Sequence, residues 1–230
     1  MTTLGELTWP EVAEASRGAL LAVPVGSTEQ HGPHLPLSTD TDVAVALCER
    51  LAAACPGVVV APCVAYGSSG EHAGFPGTLS IGQEALELLL VELGRSACAS
   101  FPRVLLVSAH GGNAAPVARA VAILRAESRD VRCWSPRWDG DAHAGRIETS
   151  LQLALDPARV RAFGGVLGAT APVSDLLPLL RSGRLPEVSP SGVLGDPAGA
   201  TAAAGAALLA SLAGDLARVV GEWAACASPS

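Results

Sequence analysis

The fold of this 230-residue chain is constrained most strongly by four short apolar runs. These runs alternate with segments of helical periodicity. Runs rich in valine and leucine, apolar at nearly every position, are typical of strands buried on both faces of a parallel sheet. The strands are predicted at residues 19–25, 58–62, 103–108 and 131–135, and the main helices at residues 41–54, 83–99, 114–127 and 201–226. This alternation predicts an α/β fold, a three-layer α/β/α domain with a mostly parallel sheet.

Length and composition narrow the classes of protein that remain. The chain can bury one large core, so a single domain over residues 1–230 is expected. With 49% hydrophobic and 16% charged residues it is not a disordered polymer. The net charge of −7 argues against nucleic acid as a partner, because neutralising phosphates requires a basic face. All 15 basic residues are arginines, which excludes Schiff-base and other lysine-dependent mechanisms.

Three features predict a soluble, cytoplasmic protein with no membrane partner. The six cysteines form no Cys-x-x-Cys pair and lie mostly in apolar runs, which is typical of reduced, buried thiols. The first eleven residues carry acidic side chains and no basic segment, unlike a signal peptide. The apolar run at residues 198–214 is expected to be too short, and too rich in alanine and glycine, to cross a bilayer core of ~30 Å.

The loop after the first predicted strand, residues 26–42, carries the densest set of candidate metal ligands. Glu29 and His31 are two residues apart, so in an extended segment both point the same way. Asp40 follows just ahead of a predicted helix. Carboxylate and imidazole ligands on a loop stiffened by glycine and proline suit a divalent metal. Asp40 alone could be a helix N-cap, but its place beside Glu29 and His31 favours a ligand role.

The other histidines also lie in glycine-rich segments near strand ends. His72 follows the second predicted strand and His110 the third, and ligands of parallel sheets gather beyond the carboxyl ends of the strands. Residues 139–150 contribute His143 and Glu148 from a loop that enters a helix. The glycines after His110 allow close approach of a metal, although a helix start at that point could instead bind an anion.

Four ordered motifs resemble those of the creatininase family of metal-dependent amidohydrolases. They are Gly-Ser-Thr-Glu-Gln-His-Gly-Pro-His-Leu-Pro-Leu at 26–37, Gly-Glu-His at 70–72 with Phe-Pro-Gly-Thr-Leu-Ser at 75–80, His-Gly-Gly-Asn at 110–113, and Asp-Ala-His-Ala-Gly at 141–145 with Glu-Thr-Ser at 148–150. The resemblance implies a three-layer α/β fold, assembly as a homo-oligomer, commonly a hexamer, and two divalent metal ions per subunit (Zn, Fe or Mn).

The same resemblance implies roles for individual residues. Glu29 and His110 would bind one metal and His31 the other, with Asp40 bridging both. Creatininase has a Tyr-Glu pair after the equivalent of His110, and that glutamate completes its second site. This chain has two glycines there, so Glu148 is the best substitute ligand and creatinine is a poor substrate. His34 would belong to the scaffold of the loop.

A narrower resemblance extends beyond the metal motifs. Tyr-Gly-Ser-Ser-Gly-Glu-His at 66–72, Val-Glu-Leu-Gly-Arg-Ser-Ala at 91–97 and Ser-Pro-Ser-Gly-Val-Leu-Gly-Asp-Pro at 189–197 are similar to the mycofactocin-system branch of the family. That branch implies a modified ribosomal precursor peptide as substrate, from which a C-terminal Val-Tyr dipeptide is removed. His143, close to the metals but not a ligand, would protonate the leaving amine or hold the tetrahedral oxyanion.

Substrate contacts are less sharply indicated. Glu71 and His72 either line a substrate pocket or support the metal ligands from behind. A C-terminal dipeptide needs a cation for its carboxylate and an apolar slot for its ring, for which Arg146 and Trp138 are candidates. A surface arginine and a core aromatic are the more ordinary explanation of both residues. The alternatives are hydrolysis of a small cyclic amide or a formamide, or a non-catalytic oligomer that binds metal structurally.

Overall fold

The chain forms a four-stranded, fully parallel sheet in a computed structural model that describes residues 3–181 and 183–226. The strands are β1 (Leu20–Val25), β2 (Val58–Val60), β3 (Arg103–Ser108) and β4 (Val131–Trp134), in the spatial order β2-β1-β3-β4. Leu20 pairs with Val58 on one side and with Arg103 on the other. The predicted strands are therefore present, and two of them end one or two residues earlier than expected.

Eight α-helices connect and cover these strands in the described residues. They are α1 (Trp9–Ala15), α2 (Thr39–Ala54), α3 (Gln83–Ala97), α4 (Ala114–Ala126), α5 (Arg146–Leu155), α6 (Val173–Arg181), α7 (Leu185–Val188) and α8 (Ala202–Cys226). Short 3₁₀ turns at Gly70–His72 and Gly111–Asn113 lie next to the candidate site.

The helices form a layer on each face of the sheet, which confirms the predicted three-layer α/β/α fold. On one face, Leu105 and Val107 of β3 pack with residues of α2, α5 and α8 in one buried cluster. On the other, Val104 and Leu106 pack with residues of α3 and α4. Alternate residues of one strand thus enter opposite cores, which explains why the strand is apolar at consecutive positions.

Helix α2 begins two residues before its predicted start, and the contacts of α3 define its buried face. Asp40 lies within the first turn of α2, and its side chain accepts a hydrogen bond from Ser27 instead of capping the helix. Leu89 of α3 is 39% exposed, although its neighbours Leu86 and Leu90 are fully buried. The buried stripe of α3 continues through Val91 instead, because this helix contacts α4 as well as the sheet.

Helix α8 is longer than the apolar run considered from the sequence. It spans 25 residues, and by length and composition it is long and apolar enough to cross a membrane. The expectation of too short a segment concerned residues 198–214, and the helix continues beyond that run to Cys226. One stripe of α8, including Leu209, Leu216 and Trp223, is buried against the sheet and α5, so the hydrophobicity of that stripe has a structural use within the protein.

Candidate active site

A pocket of about 300 Å³, here called the inner pocket, lies beyond the carboxyl ends of the central strands. It is reached by the loops after β1, β3 and β4 and by the start of α5, as expected for an open parallel sheet. Its lining includes Asp40, Glu71, His72, His110, Trp138, His143 and Glu148. Seven of the ten sequence-predicted site residues therefore line one cavity.

Glu29 lies at the centre of the buried cluster beneath this pocket. Its side chain is fully buried, and neither carboxylate oxygen accepts a hydrogen bond within the described residues. Imidazole nitrogens surround it: Nε2 of His110 is 3.1 Å from Oε2, and Nε2 of His31 is 4.0 Å from Oε1. Leaving a buried carboxylate without hydrogen bonds costs much free energy, so these oxygens fit direct binding to a cation.

Asp40 joins the two sides of the cluster. Its Oδ1 is 3.3 Å from Nε2 of His31, while Oδ2 is 3.2 Å from Nδ1 of His110. Ser27 donates a hydrogen bond of 2.7 Å to Oδ2 and fixes the orientation of the carboxylate. The position of Asp40 in the first turn of α2 also lets the positive end of the helix dipole stabilise its charge.

Glu148 enters from the opposite side, in the first turn of α5. Its Oε2 lies 3.8 Å from Nε2 of His31 and accepts a hydrogen bond of 2.5 Å from the backbone N–H of Ala144. Ala144 has a φ of 53°, a left-handed conformation that costs an alanine roughly 1–2 kcal/mol. Burial of this alanine with Leu35 and Val193 holds the turn that directs its N–H towards Glu148.

The side chains group into sets of three that could each hold a metal ion. Glu29, Asp40 and His110 form one set, and His31, Asp40 and Glu148 form another, with ligand atoms of each set within 4.8 Å of one another. Asp40 belongs to both. Mixed carboxylate and imidazole ligands suit borderline divalent metals, and the unpartnered oxygens of Glu29 fit the same requirement.

The pKa values show how strongly the buried carboxylates attract positive charge. Burial alone would lower the pKa of His31, but Asp40, Glu148 and Glu29 outweigh burial and raise it to about 10. Burial would likewise lower the pKa of His110, but Glu29 and Asp40 outweigh burial and raise it to about 10. Burial raises the pKa of Glu29 to about 8. Metal ions between these groups would supply the compensating charge, and the imidazoles would then bind as neutral ligands.

His143 is fixed by its backbone and by one ring nitrogen. Its N–H and carbonyl pair with Leu194, and its Nε2 lies 2.8 Å from the carbonyl oxygen of Gln30. Because a carbonyl only accepts, Nε2 must donate, and the 3.0 Å approach of the Gln30 amide nitrogen to the same atom is not a hydrogen bond. Nδ1 therefore carries the lone pair and faces Glu29 Oε1 at 3.8 Å.

Gln30 is a functional residue that the sequence reasoning missed. Its amide nitrogen donates to the carbonyl oxygen of Gly192 at 3.0 Å and to Nδ1 of His72 at 2.8 Å. That leaves the proton of His72 on Nε2, 3.4 Å from Glu29. Burial, followed by the nearby His110 and His31, lowers the pKa of His72 to about 3. The sequence signal for Gln30 was its place between Glu29 and His31. In an extended segment the middle residue of such a triplet points away from the metal ligands and towards the supporting structure.

Some predicted residues lie elsewhere. Arg146 is exposed and lies outside the inner pocket, because it is two residues from Glu148 on α5 and so occupies the opposite side of the helix. No arginine is among the described residues that line this pocket. His34 bonds through Nε2 to the hydroxyl of Thr149 and does not contact the ligand cluster. Leu180 and Leu194, which the sequence did not indicate, form an apolar side of the pocket with Trp138.

Comparison of the sequence with known proteins gives a consistent assignment. The sequence model of the creatininase family, described as creatinine amidohydrolase, matches residues 5–220. The chain is 51% identical over 212 residues to the mycofactocin precursor peptide peptidase of Mycolicibacterium smegmatis, covering 89% of this chain and 85% of the relative. It is 49% identical over 214 residues to the peptidase of the same name from Mycobacterium tuberculosis, covering 88% and 85%.

Solved structures agree with the sequence comparison. A crystal structure of creatinine amidohydrolase matches with a TM-score of 0.84 and 27% identity, covering 100% of this chain and 99% of that one. A second structure, described as "Creatininase Mn", has a TM-score of 0.82 and 27% identity, covering 96% and 98%. The match in family, fold and length shows that this chain belongs to the creatininase family and is a hydrolase of amide bonds.

Proposed function

We propose that this hydrolase is a metal-dependent peptidase of mycofactocin biosynthesis, which removes the C-terminal Val-Tyr dipeptide from the modified ribosomal precursor peptide. The observation that carries the proposal is the buried ligand cluster around the unpartnered Glu29 carboxylate, in a chain half identical to peptidases named for that precursor. The two glycines after His110 and the apolar side of the inner pocket support a substrate larger than a small amide.

Two divalent ions per subunit fit the ligand sets. Glu29, Asp40 and His110 would hold one ion, and His31, Asp40 and Glu148 the other, with Asp40 bridging. When bound, such ions polarise an amide carbonyl and lower the pKa of water from about 15.7 towards about 7. Zn, Fe and Mn all suit these oxygen and nitrogen ligands.

His143 is the proposed catalytic residue for proton transfer. Gln30 fixes its Nε2 as a donor, so Nδ1 is the atom that can take a proton from the attacking water and pass it to the leaving amine. Pairing of the His143 backbone with Leu194 holds the ring at the edge of the inner pocket. Trp138, Leu180 and Leu194 would contact the aromatic ring of the departing dipeptide and exclude water from it.

The decisive experiment incubates the modified precursor peptide with the protein, with and without a chelator, and follows the products by mass spectrometry. The expected result is loss of Val-Tyr that stops on chelation and returns when a divalent metal is restored. An intact peptide in the presence of metal-loaded protein would refute the proposal. A parallel panel of small cyclic amides and formamides identifies the rival activity directly.

We also propose that the chain acts as one catalytic unit over its whole length, in the cytoplasm, as a homo-oligomer and by resemblance a hexamer. Exposed apolar side chains, including Trp9, Leu88 and Leu167, are available for subunit contacts. Light scattering of the metal-loaded protein measures the oligomeric state independently of activity.

A further inference from the structure

A second cavity of about 750 Å³, here called the outer cleft, adjoins the inner pocket. The two cavities share five lining residues, so they form one continuous depression. The shared residues are Glu71, Gly111, Gly112, Ala114 and Leu180. The outer cleft contains none of the proposed metal ligands, so it extends the site away from the ligand cluster.

Two glycines with different roles lie at the junction between the cavities. A Cβ atom on Gly111 would meet no atom within 4 Å, so any side chain there would project into free space. A Cβ on Gly112 would lie 2.3 Å from Oε1 of Glu71, which shows that the Glu71 carboxylate packs directly on the backbone of Gly112. The absence of a side chain at Gly111 leaves a passage beside Glu71, and the close packing at Gly112 fixes the Glu71 carboxylate along that passage.

The character of the outer cleft differs from that of the inner pocket. Its other lining residues are small or neutral and polar, and include Ser68, Ser80 and Gln83. Among the described lining residues Glu71 is the one charged side chain. Such a surface offers hydrogen-bonding groups without a strong charge or a deep apolar slot, which suits an extended polypeptide backbone.

We propose that the outer cleft binds the segment of the peptide substrate upstream of the scissile bond, while the inner pocket holds the short C-terminal product. This inference rests on the proposed peptidase function. Its direction follows from size: a dipeptide fits in the smaller cavity beside Trp138, and a chain of any length requires the larger one. Glu71 lies at the boundary and contacts the substrate near the bond that is cleaved.

The test compares a long substrate, the full modified precursor, with a short one that begins one residue upstream of the scissile bond and keeps the same C-terminus. Ala115 is exposed on α4 and lines the outer cleft but not the inner pocket, so Ala115→Trp should narrow the cleft. We expect the ratio of kcat/KM for the long substrate to that for the short one to fall about tenfold, because upstream binding energy is lost. Gln83→Trp, at another wall of the cleft, should act similarly.

Ala122→Trp is the matched control, because Ala122 is also exposed on α4 but lines neither cavity. Its ratio should equal that of the wild type, as should the metal content and circular dichroism of all three variants. If the wild type cleaves both substrates and neither cleft variant changes the ratio, the assignment of the cleft is wrong while the peptidase function stands. If the metal-loaded wild type cleaves neither substrate, the proposed function fails, and the cleft assignment fails with it.

Discussion

Hydrogen bonds of Nε2 and of the backbone hold His143 in place and leave Nδ1 facing the ligand cluster. Its Nε2 donates to Gln30 and its backbone pairs with Leu194, so Nδ1 alone is directed at the site. We expect His143→Ala to lower kcat by about 10²–10⁴-fold, the usual contribution of a positioned acid or base. Steady-state kinetics on the precursor peptide and metal analysis of the same sample measure the effect. Turnover near that of the wild type, with metal content intact, would exclude this role.

Gly112 is packed too closely to accept a side chain. A Cβ there would lie 2.3 Å from Glu71 Oε1 and from the carbonyl oxygen of Ser68, and 2.5 Å from Nε2 of His110. Gly112→Ala should therefore displace His110, lower the free energy of unfolding by roughly 1–3 kcal/mol and reduce metal content. Urea denaturation and metal analysis measure both effects. Gly111→Ala is the control for stability, because its Cβ would meet no atom; equal effects of the two variants would contradict the packing argument.

Single residues show what the sequence alone could and could not predict. Glu29, Asp40 and His110 could be proposed as ligands from the sequence because carboxylates and imidazoles beside glycines, after buried strands, have few structural uses, and the structure brings the three together. Arg146 was misplaced, because the direction of its side chain depends on where α5 begins, and a helix start with Gly145 as the N-cap is not evident from composition. Gln30 was missed because its partner Gly192 is distant in sequence and makes its contact only through the backbone.

At the scale of elements, Gly205 and Gly214 of α8 have opposite surroundings. A Cβ on Gly205 would lie 1.8 Å from the carbonyl oxygen of Ser150 in α5, whereas one on Gly214 would meet nothing within 4 Å. Gly205→Ala should lower the free energy of unfolding by roughly 1–3 kcal/mol, because the two helices must separate. Gly214→Ala should raise it by roughly 0.5–1 kcal/mol through helix propensity. Urea denaturation of both variants tests this contrast, and changes of equal sign would refute it.

Strands and main helices were predictable because each is a long run of one periodicity. Boundaries differ from the predicted ones by at most two residues, since capping and fraying depend on contacts. The α6–α7 segment, by contrast, carries Leu180 over both cavities, yet its sequence is interrupted by proline and glycine and has no clear period. Its position is set by packing of Leu180 and Leu185 with Leu194, which no local pattern encodes.

For the whole molecule, bound metal should be a large part of stability. Glu29, Asp40 and Glu148 place three carboxylates in one buried cluster, and two dications would leave a single net positive charge. Each bound ion whose free concentration is 100 times its dissociation constant stabilises the fold by about 2.7 kcal/mol. Removing that ion should lower the free energy of unfolding by the same amount. Calorimetry before and after dialysis against a chelator measures the loss. An unchanged melting temperature, with metal removal verified, would contradict metal binding at this cluster.

The contact between Gln30 and Gly192 joins positions 162 residues apart and completes the wall behind His143. Ribosomes add about 5–20 residues per second, so roughly 8–30 s separate the synthesis of these two ends. All five proposed metal ligands are made before the segment that closes the wall, the last of them at Glu148. Glu148 precedes Gly192 by 44 residues, so the complete set of ligands is synthesised roughly 2–9 s before the residue that closes the wall, and the ligands are open to the ions of the cell during that interval.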